Sequence, residues 1–198
     1  IVKYTGGIDP NNGWPLFNPL DYRNFNFFKQ DCREFFRNSS NKYDLVLHLA
    51  AIVGGRLVIE NDPLAVAIDL SIDAQFWQWA KVNKPNKIIC FSSSAAYPVA
   101  LQTEKDFILL EEEHIYLEND IGMPDMSYGW SKLTHEYLGK LAHDRYGLNV
   151  VTYRPFSGYG IDQDDTYPFP SICKRALKNK GDERLYVWGT GRQMRDFI

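Results

Sequence analysis

The chain has 198 residues, 44% hydrophobic and 15% aromatic, enough for one core of ordinary size. A net charge of -3 gives no electrostatic basis for a nucleic-acid partner, no apolar run approaches the length of a membrane span, and no signal peptide is visible. Cys32, Cys90 and Cys173 are odd in number and lack metal-ligand spacing, so they read as reduced thiols of a cytoplasmic protein, with no metal site expected.

The first 25 residues, with Gly6, Gly7, Pro10, Gly13, Pro15 and Pro19, read as an ordered loop. Asn26 to Lys29 is a short extended run leading into Asp31. Asp44 to Leu49 is a continuous apolar run of strand length, as a buried parallel strand requires. Pro63 opens a helix over Leu64 to Val82, where Leu64, Ala67, Ile68, Ile72, Phe76 and Trp79 recur close to a 3.6 period. Lys87 to Ser92 is the next strand. A long loop from Val99 to Asp125 carries Glu111, Glu112 and Glu113, a solvated acidic run. A helix runs from about Ser127 to Tyr146, and Gly147 stops it. Asn149 to Arg154 is another strand, broken by Pro155. A helix covers about Pro170 to Lys178, and Leu185 to Trp188 is a last short strand before Gly189 and Gly191.

Strand and helix alternate, which predicts a Rossmann-like doubly wound α/β parallel sheet. Ligands of such sheets bind at the carboxyl ends of the strands. Asp31, His48 to Ala51, Ser92 to Ser94 and Pro155 to Gly160 all fall there.

Within Ser127-Tyr-Gly-Trp-Ser-Lys132 the phenol of Tyr128 and the ammonium of Lys132 stand at i,i+4, on one helix face. A positive charge stabilises phenolate, so the pair can act as a general acid/base. The turn Phe91-Ser-Ser-Ser-Ala-Ala-Tyr-Pro98 supplies hydroxyls that can share a substrate oxygen with the phenol. On spacing alone, a Tyr-x-x-x-Lys pair is a solvated helix face about ten times more often. The serine turn and the strand-end segments reverse those odds. His48 reads as a hydrogen-bonded core histidine, and Trp77, Trp79 and Trp130 as core or subunit contacts. Both long helices carry large apolar residues on more than one face (Phe76, Trp77, Trp79; Trp130, Leu133, Tyr137, Leu138, Leu141). That surplus predicts a homodimer through a four-helix bundle.

Six segments in this order resemble the extended short-chain dehydrogenase/reductases, of the nucleotide-sugar epimerase/dehydratase/reductase kind. They are Gln30-Asp-Cys-Arg33, His48-Leu-Ala-Ala51, Ser92-Ser-Ser-Ala-Ala-Tyr97, Tyr128-Gly-Trp-Ser-Lys132, Arg154-Pro-Phe-Ser-Gly-Tyr-Gly160 and Val187-Trp-Gly-Thr-Gly-Arg-Gln-Met-Arg-Asp-Phe197. The resemblance runs from about Phe28 to Ile198. Ala51 to Arg56 and the Tyr97-Pro98 ending are most similar to GDP-fucose synthases and GDP-mannose 3,5-epimerases.

The resemblance implies NAD or NADP as cofactor and a nucleotide-diphosphate sugar as substrate. It implies Ser93, Tyr128 and Lys132 as the catalytic set, with Lys132 also on the nicotinamide ribose. Asp31 would accept from the adenine amino group, and Leu49, Ala50 and Ala51 would line the pyrophosphate and ribose. Ser92, Pro155 and Phe156 complete the cofactor side. Gly55, Arg56, Ser94, Ser157, Arg175 and Arg195 fall on the substrate side, the arginines gripping the diphosphate.

Four departures shape the expectation. No glycine-rich GxxGxxG turn is present, and Thr5-Gly-Gly7 is followed by Asp9, Pro10 and Asn11 rather than a helix start. The first βαβ unit is therefore expected upstream of residue 1, making the chain a fragment with a partial NAD(P)-binding domain over 1–160 and the start of a substrate region over 161–198. Ala95 stands where the fucose-synthase kind carries its epimerising cysteine, with Tyr167 near the place of its histidine, against double epimerisation. The dehydratase-type Asp-Glu pair is absent at Ser94-Ala95. Ser157 and Asp69 replace asparagines of the substrate loop and of the helix near the site. What remains is an NAD(P)-dependent epimerase or 4-ketoreductase acting at C4 of a nucleotide-activated sugar. The alternative is a non-catalytic cofactor-binding or structural protein on the same scaffold, which has no need of Ser93, Tyr128 and Lys132.

Overall fold

Among the described residues, three short parallel strands form one sheet, β1 (Leu45–His48), β2 (Lys87–Phe91) and β3 (Val150–Tyr153), in the order β1-β2-β3. The computed structural model describes residues 23–26, 28–52, 56–103, 107–160, 163, 165, 167–179, 184–186, 189–192, 194 and 196–197, with backbone alone for 56–58. Val46 pairs with Ile88 and Ile88 with Val150; His48 pairs with Cys90 and Cys90 with Thr152. Because all three strands run the same way, the chain leaves them at one edge, after His48, Phe91 and Tyr153. Helices make the crossovers, as parallel pairing requires. They are α1 (Cys32–Asn38) before β1, α2 (Arg56–Asn61) and α3 (Ala67–Asn83) between β1 and β2, α4 (Met126–Tyr146) between β2 and β3, and α5 (Pro168–Lys178) after β3.

The residues fall into two compact units. One is Ile1–Ile52, Ala65–Phe91 and Thr134–Tyr153; the other is Val53–Leu64, Ser92–Leu133 and Arg154–Ile198. The first unit has an aromatic core around Phe76, Trp77, Trp79, Ala80, Ile88, Cys90, Ala142 and Leu148. Phe76, Ile88 and Cys90 are wholly buried. Each such apolar side chain contributes about 1.5–3 kcal/mol by leaving water. Phe35 and Phe36 of α1 pack their rings against Trp79, and the Trp79 indole N–H donates to the Ser39 carbonyl at 3.1 Å. The second unit has a smaller core of Ala96, Tyr97, Ile115 and Leu133, with Leu110, Leu117, Ile121 and Phe156 packed on it.

Several expectations are corrected by the backbone. The segment after Asp31 is the helix α1, which hydrophobic periodicity did not reveal because it lasts only 7 residues. β1 is not buried on both faces: Leu45, Leu47 and Leu49 are more than half exposed while His48 is buried. Pro63 to Val66 form turns, and α3 begins only at Ala67. Leu64, Ala67 and Ile68 consequently face water, and the buried stripe is Ile72, Phe76 and Trp79 joined by Trp77. Arg56, expected on the substrate side, opens α2. Leu185 and Tyr186 belong to no strand; instead Ser157 and Phe197 make an isolated parallel bridge. The stop after α4 is as expected: Gly147 has φ +66 and donates to the His143 carbonyl, a left-handed cap that glycine adopts without strain. The Thr5-Gly-Gly7 segment lies outside the described residues.

Candidate active site

The serine turn is built at the end of β2. Ser93 is extended and caps a single 3-10 turn over Ser94–Ala96, its Oγ accepting the Ala95 N–H at 3.2 Å. A serine hydroxyl has one proton and two acceptor sites. With an acceptor site occupied by Ala95, the Ser93 O–H is left to donate. Ser92 is 3% exposed, and its Oγ is buried without a hydrogen-bond partner among the described residues. A buried hydroxyl left unpaired costs about 1–3 kcal/mol.

The first turn of α4 is locked onto this serine turn within the second unit. The Ala95 carbonyl accepts the Asp125 N–H at 2.9 Å. A Cβ on Gly129 would lie 2.3 Å from that same oxygen and 2.9 Å from the Pro124 Cβ. Only glycine lets the helix backbone come so close. The sequence reading did not single Gly129 out, although a glycine in the first turn of a helix is itself a signal of close backbone approach. Tyr128 and Lys132 flank it, both half-buried, with Lys132 Nζ 5.5 Å from the centre of the Tyr128 ring. The two side chains thus meet on one helix face. Met126, at the start of α4, holds φ 55, a left-handed conformation that costs a non-glycine residue roughly 1–2 kcal/mol. Such strain gathers at functional sites.

The segment after β3 joins the same unit. The Pro155 carbonyl accepts the Ser94 N–H at 3.1 Å, so the expected wall Pro155-Phe156 is tied to the serine turn. Phe156 packs its ring 5.9 Å from Tyr97, and the Arg154 guanidinium lies 5.4 Å from the centre of the Tyr97 ring. Arg154 also donates to the Glu112 carbonyl. The structure therefore brings Ser92, Ser93, Ser94, Tyr128, Lys132, Pro155, Phe156 and Ser157 into one unit. Arg175 belongs to it too, with Nη1 donating to the Tyr186 carbonyl at 2.9 Å, a hold between α5 and its following segment. Arg195 and Gly55 lie outside the described residues, as does the Arg56 side chain.

Asp31, Leu49, Ala50 and Ala51 stand in the other unit. Asp31 caps α1 by accepting the Arg33 N–H at 2.9 Å, and the Arg33 guanidinium pairs with both carboxylate oxygens. The Asp31 carboxylate beside it holds the Arg33 guanidinium above its ordinary value. Two bonds fall on Oδ1 and one on Oδ2. Leu49 is 63% exposed, and Ala50 and Ala51 are half-buried, with side chains small enough for a ligand to approach the backbone. Next to them, the Asp69 carboxylate accepts the Ile52 N–H. It thus fixes the loop after β1, a role an aspartate performs as readily as the asparagine it replaces. The exposed Leu49 and the small side chains of Ala50 and Ala51 fit a dinucleotide cofactor lying along the backbone after β1.

A parallel α/β sheet with its strand ends on one edge, and a Tyr-x-x-x-Lys helix packed on a serine turn, define a Rossmann-like protein of the extended short-chain dehydrogenase/reductase class. The chain belongs to the NAD dependent epimerase/dehydratase family, whose model matches residues 17–198. It is 27% identical over 185 residues to YtcB of Bacillus subtilis, an uncharacterized UDP-glucose epimerase, covering 92% of this chain and 54% of that one. It is 25% identical over 179 residues to a dTDP-4-dehydro-6-deoxy-D-allose reductase of a Streptomyces species, covering 86% and 51%. Among solved structures it matches the UDP-glucuronic acid 4-epimerase of Bacillus cereus, in complex with UDP-glucuronic acid and NAD. That match has a TM-score of 0.64 and 27% identity, and covers 85% of this chain and 48% of that one. The chain thus spans about half the length of the relatives it matches. Among the described residues, no helix is long and apolar enough to cross a membrane.

Proposed function

We propose that this chain carries the acid/base half of an NAD(P)-dependent enzyme that epimerises or reduces a nucleotide-activated sugar at C4. The observation that supports the reading is the Gly129–Ala95 approach, which packs the first turn of α4, bearing Tyr128 and Lys132, against the turn that bears Ser93. The nicotinamide, when bound, supplies hydride exchange at the sugar carbon. The protein's part is the proton. Tyr128 takes or gives the proton on the oxygen attached to that carbon. The Ser93 O–H, its acceptor side held by Ala95, donates to the same oxygen and keeps it in line. Lys132 favours the phenolate form of Tyr128 and takes the nicotinamide ribose. Asp31, Leu49, Ala50, Ala51 and Ser92 hold the remainder of the cofactor, and Pro155 and Phe156 wall its ring. Gly55, Arg56, Ser94, Ser157, Arg175 and Arg195 take the sugar nucleotide.

Support comes from the relatives, which include UDP-sugar 4-epimerases and a dTDP-4-keto-sugar reductase. The test is to incubate the full-length purified protein with NAD or NADPH and each of UDP-glucose, UDP-glucuronic acid and a dTDP-4-keto-6-deoxyhexose, following the sugar by proton NMR. A C4 epimer or a reduced sugar is expected. Cofactor binding with no turnover of any nucleotide sugar would instead support a binding protein.

Two further expectations belong to this reading. Arg195→Met should weaken sugar-nucleotide binding far more than cofactor binding, both measured by calorimetry; an equal loss for the two ligands would make Arg195 structural. A homodimer should form through α3 and α4. Of the residues expected to bear that interface, Phe76, Trp77, Trp79 and Leu133 are buried within the units. Ile68, Leu70 and Val82 on α3 and Trp130, Tyr137 and Tyr146 on α4 are exposed and would bear it instead. A monomer by light scattering at micromolar concentration would exclude it.

A further inference from the structure

Inside the first unit, His48 at the end of β1, Asp73 in the middle of α3 and His135 in α4 meet in one buried cluster. They are 7%, 8% and 3% exposed. His48 Nε2 lies 2.9 Å from Asp73 Oδ1, a good hydrogen bond. His135 Nδ1 lies 3.1 Å from the same oxygen, and His135 Nε2 is buried without a hydrogen-bond partner among the described residues. Burial pushes the Asp73 carboxyl up, but the two imidazoles outweigh it and hold the group well below the usual carboxylate range. Aromatic rings wall the cluster: Phe76 stacks on His48 with ring centres 3.9 Å apart, and Trp77 lies 5.2 Å from His135.

A hydrogen-bonded network pairs His48 and His135 with Asp73 but leaves His135 Nε2 without a partner among the described residues. Two imidazoles and a carboxylate that converge in a buried place are also a donor set for a metal ion. When two ligand atoms share an ion at about 2.0–2.2 Å, they sit near each other while each lone pair points at the ion, not at the other atom. His135 Nδ1 and Asp73 Oδ1 are 3.1 Å apart, near enough to share one ion. The three ligand atoms lie within 4.8 Å of one another. Two imidazole nitrogens and one carboxylate oxygen form a borderline donor set that favours Zn²⁺ over Mg²⁺ or Ca²⁺. We propose that His48, Asp73 and His135 form a Zn²⁺-class metal site that ties β1, α3 and α4 together. It goes beyond the nucleotide-sugar reading and was not expected from the sequence, where the cysteines alone were weighed as ligands.

The experiment uses the full-length protein stripped with chelator and titrated with ZnCl₂ or CoCl₂ alone. One Zn²⁺ per chain is expected, with a rise in Tm and a visible Co²⁺ spectrum of low-coordinate nitrogen and oxygen ligands. His135→Gln and Asp73→Asn should each weaken Zn²⁺ binding by more than the ~10–100-fold that losing a merely supporting residue produces. His114→Gln, at a residue outside the cluster, should leave binding unchanged. Absence of Zn²⁺ binding by the wild-type protein, or equal binding by folded His135→Gln, overturns the proposal and leaves a polar network only. Should both cluster variants fail to fold, the wild-type Co²⁺ spectrum decides: no visible band rejects the site.

Discussion

Tyr128→Phe is expected to fold, to bind cofactor as the wild type does, and to lose about 10²-fold or more in turnover, the usual scale for a positioned acid/base. The phenol oxygen is the only atom removed. The ring stays in place beside Lys132, whose Nζ lies 5.5 Å from its centre. The helix is unaffected, since Phe and Tyr have similar helical preference. The loss should fall on the chemical step, so the substrate dissociation constant should move little while kcat drops. Thermal melting and cofactor titration of the variant establish that fold and binding survive. Wild-type turnover in that same sample would sink the assignment of Tyr128. Ser93→Ala offers an independent comparison. Its Oγ also accepts the Ala95 N–H, so that variant should lose some stability as well as rate.

How far the sequence was legible depended on the length scale of each signal. The strands over Leu45–His48, Lys87–Phe91 and Val150–Tyr153 were found within a residue or two, because short β-branched and apolar runs bounded by polar residues have few other uses. The end of α4 was found because Gly147 is a local device, a left-handed cap. The start of α3 was misplaced because Pro63 is as good a turn residue as a helix opener, and nothing local distinguishes the two. The exposure of Leu45, Leu47 and Leu49 could not be read at all. Composition says that a strand is apolar, but only pairing and crossover contacts decide which of its faces is covered.

The candidate site was legible where chemistry follows the helical period, as at Tyr128 and Lys132. It was also legible where a motif has a fixed place, as in the serine turn. It was not legible where contacts join residues distant in sequence. Asp73 and His135 are 62 positions apart by their numbering, yet both face His48. No spacing rule links them. Asp69 and Asp73 are spaced like any solvated i,i+4 acid pair, yet both are buried, one on the Ile52 N–H and one between two imidazoles.

Gly129→Ala is the second large effect expected, and its sign runs against helix propensity. In an ordinary helix interior, alanine for glycine stabilises by about 1 kcal/mol. Here the new Cβ would lie 2.3 Å from the Ala95 oxygen and 2.9 Å from the Pro124 Cβ. The first obstacle is backbone, already committed to the Asp125 N–H, and cannot rotate away as a side chain could. The first turn of α4 must therefore shift outward from the serine turn. Overpacking of this kind costs about 1–3 kcal/mol. It should also cost turnover, because Tyr128 moves with the helix while Ser93 stays on its own turn, and misplacement by about 1 Å can lower a rate by about 10²-fold. Gly147→Ala is the control. Its φ of +66 makes alanine strained, but nothing lies within 4 Å of the new Cβ. That variant should lose about 1–2 kcal/mol of stability from the left-handed backbone and keep its rate. Denaturant melts and turnover of the two variants, measured side by side, separate these outcomes. A Gly129→Ala protein that keeps the turnover of Gly147→Ala would show that the approach of α4 to the serine turn does not set the catalytic geometry.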